Sequence, residues 1–259
     1  MPSLDVPKIL TESYRDLARN APLYLRLIPV PLAASVAATL WTPPAPPTDD
    51  IAATLLHMTV SMAIGFGCFL LTLPTATAWH RLVVLGPSHP RARLAYRFGS
   101  EELSYMRHAC MLMLYALPVA ALASAMLLLF LAVTGAGETT TAITRSTTFN
   151  LILQAAAIAL VAPRFILLPG TAIGQRTRLR DARTLLRMNY GRMRALVLLA
   201  WLPQAALAQS IDLVAPAPAA AIAKAIVGLF FLAIGVGVLS HAYVWLTGRV
   251  VVAQRLRGV

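Results

Sequence analysis

Residues 219–246 read AAAIAKAIVGLFFLAIGVGVLSHAYVWL, with Lys224 as the single basic residue and no acidic one. The hydrocarbon core of a bilayer is about 30 Å thick and a helix rises about 1.5 Å per residue, so roughly 20 apolar residues cross it. A run this long with no polar face is expected to be a membrane-spanning helix.

Five further runs extend the pattern toward the N-terminus, over 195–214, 149–168, 109–134, 51–79 and 22–41. The joints carry helix breakers: TPPAPPTDD at 42–50 separates the first two runs, and Pro216 with Pro218 sets the last two as a tight hairpin. The first run holds small residues (AASVAA, 33–38) of the kind a signal peptidase cuts, but a polar stretch with three carboxylates, Asp5, Glu12 and Asp16, precedes it. That flank favours a retained span. The expected fold is an all-α, polytopic membrane bundle of six transmembrane helices. A cytoplasmic amphipathic segment (1–21) precedes the transmembrane domain (22–248), and a basic tail (249–259) follows it.

Composition agrees. The 259 residues are 58% hydrophobic and only 12% charged, and the mean hydropathy is +0.71. Soluble domains carry about 25% charged residues. A net charge of +12 would point to nucleic acid in a soluble protein, but here the basic residues sit between apolar runs, which excludes that partner. Lys8, Arg15, Arg19 and Arg26 precede or open the first run, and Arg81, Arg91, Arg93, Arg97 and Arg107 lie between the second and third. Eight arginines fall from Arg164 to Arg194, and Arg249, Arg255 and Arg257 follow the sixth. All but two of the 22 basic residues, Arg145 and Lys224, thus share one face, which the positive-inside rule makes cytoplasmic. Both termini are expected there. The Ala- and Arg-rich, Lys-poor usage is that of a GC-rich bacterial genome, so the expected location is the bacterial inner membrane.

The densest arginine cluster also has helical order. Leu179, Ala182, Leu186, Tyr190 and Met193 recur at helical spacing within 177–194 and define an apolar face flanked by guanidinium groups. Such a helix would lie in the interface with its arginines at headgroup phosphates. Arg164, Arg176, Arg180, Arg183, Arg187 and Arg194 are therefore the candidate contacts for anionic lipid headgroups or for a partner subunit. Topogenic charge and simple anchoring explain the same pattern. Leu10, Tyr14, Leu17 and Ala21 repeat the spacing before the first span, and Ser100 is placed to cap a helix opened by Glu101 and Glu102.

Leu117-Pro118-Val119-Ala120-Ala121-Leu122 recurs as Leu202-Pro203-Gln204-Ala205-Ala206-Leu207, with looser echoes at Ile28-Pro29, Leu73-Pro74 and Leu168-Pro169. Three repeated hairpins would account for this, and so would independent kinks.

No span interior holds Asp or Glu, and Lys224 and Asp212 lie near the outer interface within snorkelling reach. Arg164 is the unusual intramembrane charge. His57 and His241 lie near opposite faces, with no second histidine at ligand spacing, which argues against haem. Cys68 and Cys110 lack any metal spacing and read as packing residues. Phosphate-loop, zinc-protease and nucleophile-elbow patterns are absent, so neither a catalytic residue nor a cofactor or metal is expected.

The stretch Arg164-Phe165-Ile166-Leu167-Leu168-Pro169-Gly170-Thr171-Ala172-Ile173-Gly174, followed by Leu179, Ala182, Arg187, Asn189, Tyr190 and Arg192, resembles the YciC-like six-helix bacterial membrane proteins. It also resembles the membrane domain attached to some glycerophosphodiester phosphodiesterases. The resemblance implies an accessory or scaffolding membrane domain without catalytic residues. The expected function is thus a non-enzymatic accessory, scaffold or assembly subunit that packs against other membrane subunits or itself. The alternative is a transporter or channel for a small neutral or anionic solute.

Overall fold

A computed structural model of the chain describes residues 3–41, 51–90, 99–134, 140–175, 181–214 and 216–248. Every regular element among them is helical: α1 (Val6–Arg19), α2 (Ala21–Leu27), α3 (Pro29–Trp41), α4 (Ile51–Leu85), α5 (Ser100–Thr134), α6 (Thr140–Phe165), α7 (Leu168–Ala172), α8 (Asp181–Leu186), α9 (Tyr190–Val214) and α10 (Ala217–Thr247). Among the described residues, three stretches are long and apolar enough to cross a membrane: Thr59–Leu85, Asp181–Ile211 and Ala219–Thr247. The pair Ala21–Leu27 and Pro29–Ala38 makes a fourth if taken as one span bent by 51°, and Leu151–Phe165 is a shorter apolar helix. This is the architecture of a membrane protein.

The core is gathered at the arginine-rich end. Every residue of α4 from Leu73 to Val84 is buried, whichever side of the helix it occupies, whereas Leu56, Met62, Phe66 and Leu71 earlier in α4 are exposed. A helix buried all round is a central helix. Around it lie the N-terminal turns of α5 (Tyr105, Ala109, Leu112), the last half of α10 (Ala233 to Tyr243), and α7, whose five residues are all buried. Beyond this end the exposed side chains are those of a lipid-facing surface, including Leu114, Leu122, Leu129, Leu202, Leu207 and Phe230.

Helix α1 starts at Asp5, whose carboxylate accepts the Lys8 amide proton at 3.2 Å, and the terminus before it is held by α9 and α10. Asn189 Oδ1 accepts from the Leu4 amide at 2.9 Å, Arg192 donates to the Leu4 carbonyl at 3.0 Å, and Trp245 Nε1 donates to the Ser3 carbonyl at 3.1 Å. The apolar face expected for α1 is rotated. Ile9, Ser13 and Leu17 are buried and Tyr14 is 39% exposed. The cause is close approach to α10 at Gly237, where an added Cβ would meet Ser13 Cβ at 3.3 Å. A small polar residue against a glycine brings the two backbones together, a criterion that apolar spacing does not register.

The expected first span is broken between α2 and α3 at Ile28-Pro29. Pro29 brings no N–H to the ladder, and its ring restricts the residue before it. The Leu27 carbonyl at the break accepts a hydrogen bond from Thr75 Oγ1 of α4 at 2.7 Å. The proline echoes are put to different uses: Pro74, Pro118 and Pro203 lie inside continuous helices, whereas Leu168-Pro169 opens the short α7.

The interfacial helix expected over 177–194 is divided. Helix α8 is followed by a 3-10 turn, Arg187–Asn189, with Arg187 at φ +30°, and α9 begins directly at Tyr190. Residues 176–180 lie outside the described set. Ala182, Leu186 and Met193 do form one apolar face, but they belong to the protein core. The buried stripe continues through Leu196 to Ala200, so the segment runs on into the following span.

Candidate functional site

Three of the six candidate arginines meet in one place. Arg164 in the last turn of α6, Arg183 on α8 and Arg194 on α9 line a cleft of about 440 Å³ together with Tyr115, Leu160, Pro163, Ala182 and Tyr190. The half-buried Arg164 guanidinium sits over the Tyr115 ring, 5.1 Å from its centroid. Stacking of this kind contributes about 0.5–2 kcal/mol and engages the face of the guanidinium, leaving its N–H edges available. Tyr190 and Arg194 are four residues apart on α9 and so share a face.

No carboxylate pairs with Arg164, Arg183 or Arg194 among the described residues. Three guanidinium groups with no carboxylate partner among the described residues can take an oxyanion, because each can hold phosphate or carboxylate oxygens through paired N–H donors. The volume lies within the roughly 300–1,000 Å³ of small-molecule sites. The cleft is also bordered by apolar surface that faces outward: Leu160 is 54% exposed and Tyr115 48% exposed. Of the other candidates, Arg187 is exposed on the 3-10 turn and does not line the cleft, and Arg176 and Arg180 lie outside the described residues.

Sequence reading missed a second charged centre, which orders the helices beside the cleft. Arg81, counted above as a loop residue, is inside α4 with its side chain 2% exposed. It donates to Glu102 Oε1 at 2.6 Å, to Glu101 Oε2 at 3.0 Å, and through Nε to the Ala172 carbonyl at 2.6 Å. One buried guanidinium thus ties α4 to the start of α5 and the end of α7. Burial disfavours the Glu102 carboxylate, but the Arg81 hydrogen bond, the backbone amides of Glu102 and Gly99, and the Arg81 charge outweigh it and hold its pKa below the usual value of 4.5.

The local chemistry explains the placement. Helix α5 begins at Ser100, so Gly99 occupies the cap position expected for Ser100, and Glu102 reaches back to accept the Gly99 amide proton at 3.0 Å. Gly174 approaches from the other side with φ +84°, and an added Cβ would lie 2.7 Å from Glu101 Oε1. The signal was present in sequence: the apolar run continues past Arg81 as Leu82-Val83-Val84-Leu85, and a charge enclosed by such a run needs a partner.

The two histidines weighed as haem ligands are separately placed. His241 Nε2 lies 3.0 Å from Asp16 Oδ2 of α1, and His57 is half-buried on α4. Cys68 and Cys110 are free and half-buried, with Cys68 Sγ 3.6 Å from the Ala34 carbonyl. Among the described residues, no group of His, Cys, Asp or Glu could hold a metal ion.

Fold and cleft together define an all-helical membrane protein with a cleft lined by three arginines at its densely packed end. No family model matches the chain, and neither a curated protein nor a solved structure is significantly similar to it.

Proposed function

We propose that this chain is a non-enzymatic, multi-pass protein of the bacterial inner membrane that holds an anionic lipid headgroup in the Arg164/Arg183/Arg194 cleft. In this reading it serves as an accessory or scaffold subunit in its membrane. The observation that carries the proposal is the convergence of three guanidinium groups, without a carboxylate partner among the described residues, on a cleft bordered by outward-facing Leu160 and Tyr115. A phosphate takes the arginines while the acyl chains stay in the bilayer. The bent pair α2/α3, the 35-residue α5 and the 26-residue α6 join the three long apolar stretches to give six spans, with both termini on the cytoplasmic side. The resemblance of residues 164–192 to the YciC-like group points to the same accessory role.

Native mass spectrometry of the detergent-purified protein tests the headgroup site. Phosphatidylglycerol should remain bound where phosphatidylcholine is lost, and Arg164→Gln with Arg183→Gln and Arg194→Gln should remove the preference. Equal retention of both lipids by the unaltered chain would overturn the reading. The alternative, passage of a small anionic solute, draws on the half-burial of Arg164 between cleft and bundle. It predicts phosphate flux into proteoliposomes, and vesicles that stay tight would dismiss it.

A further inference from the structure

A second cavity, independent of the arginine cleft, lies between α4, α5, α6, α7, α9 and α10, with a volume of about 310 Å³. Its wall is apolar except for Thr72, His80, Tyr105, Gln204 and the indole of Trp201. His80 is fully buried, and its ring lies 5.6 Å from that of Tyr105.

The proton on His80 can be placed from its neighbours. His80 Nδ1 is 2.7 Å from Ser240 Oγ, and the Ser240 hydroxyl donates to the Val236 carbonyl at 2.8 Å. A serine has one proton, so with that proton directed to the Val236 carbonyl Ser240 accepts from Nδ1–H. The neutral ring therefore leaves Nε2 as a bare acceptor. Nε2 is buried and has no hydrogen-bond partner among the described residues. His80 lines the cavity while Ser240 does not, and Nε2 is the ring nitrogen that Ser240 does not engage.

We propose that this cavity binds a lipid alcohol, its hydroxyl donating to His80 Nε2 and its chain packed against Phe69, Phe165 and Phe231. The donor must be neutral. No Lys or Arg lines the wall to receive a carboxylate, and no Asp or Glu lines it to receive an ammonium. At roughly 30 Å³ per methylene-sized group, about the volume of a water in the liquid, the cavity takes roughly ten chain atoms. A ten-carbon alcohol fits that size.

The test follows the His80 Nε2 nitrogen resonance of the full chain in lipid nanodiscs, assigned by its loss in His80→Gln, during titration with 1-decanol. The expected result is a saturable upfield shift as Nε2 gains a hydrogen bond, and no such shift with decyl methyl ether, which has the same shape and no donor. In Gly235→Leu half-saturation should need at least tenfold more decanol. Gly235 lines the cavity and an added Cβ there meets no atom within 4 Å, so the leucine side chain starts into open space and occupies part of the cavity. No shift with decanol in the unaltered chain overturns the proposal, as does an equal shift with the ether or an unchanged half-saturation in Gly235→Leu.

Discussion

Replacing Arg81 with methionine keeps an unbranched apolar stem but removes the guanidinium, and with it three hydrogen bonds, from a nearly dry site. Glu102, 11% exposed, and Glu101, 29% exposed, then both lose the Arg81 guanidinium, and the Ala172 carbonyl loses the Nε–H it accepts. Breaking a buried pair by deleting one partner costs about 3–5 kcal/mol. Glu101 keeps more contact with solvent than Glu102, so we place the expected loss at about 4 kcal/mol rather than at twice that figure. A chain of this size shifts its Tm by roughly 2–4 °C per kcal/mol, which predicts a fall on the order of 10 °C. Circular dichroism melting in mild detergent reads this directly. Arg81→Met combined with Glu101→Gln and Glu102→Gln removes the uncompensated charge and should recover at least half of the loss. An Arg81→Met protein melting within about 2 °C of the parent would refute the account of the cluster. So would a triple variant no more stable than the single one.

Two further outcomes follow from the same centre. Gly174→Ala places a Cβ 2.7 Å from Glu101 Oε1 at φ +84°, and should lower stability by about 1–3 kcal/mol, read as a lower melting temperature in detergent. The depressed pKa of Glu102 means that the unfolded chain binds the proton first as pH falls, so the contribution of Glu102 is fully present above about pH 4.5 and is lost as pH drops through the folded pKa. Melting temperature measured from pH 7 to pH 4 should fall less steeply in Glu102→Gln than in the parent.

Period and charge sign were legible in the sequence, and close backbone approach was not. The helical character of 219–246 follows from length alone, and the stripe from Ala182 to Met193 was visible in its spacing. What covers that stripe was not visible, because apolar side chains look the same whether they meet lipid or protein. The decisive fact is the continuation of the stripe to Ala200, inside the following span. The rotated face of α1 failed for a related reason: Ser13 is buried because Gly237 opposes it, and a pairing more than two hundred residues apart leaves no local periodicity. Arg164 drew notice as a charge inside an apolar run, and Arg183 and Arg194 as part of the densest arginine cluster; which of the six candidates share a cleft was not legible. Arg81 was missed because counting charge by connection assigned it to a loop, when the apolar residues on both sides of it were the better guide.

The central claim is that the cleft lined by Arg164, Arg183 and Arg194 holds the phosphate of a membrane lipid. Crystals grown from a lipidic phase doped with phosphatidylglycerol test it most directly. The account predicts density for a headgroup phosphate within hydrogen-bonding distance of at least two of the three guanidinium groups, with the acyl chains leaving past Leu160. A cleft free of lipid, with the arginines instead paired to carboxylates of the chain itself, would contradict it.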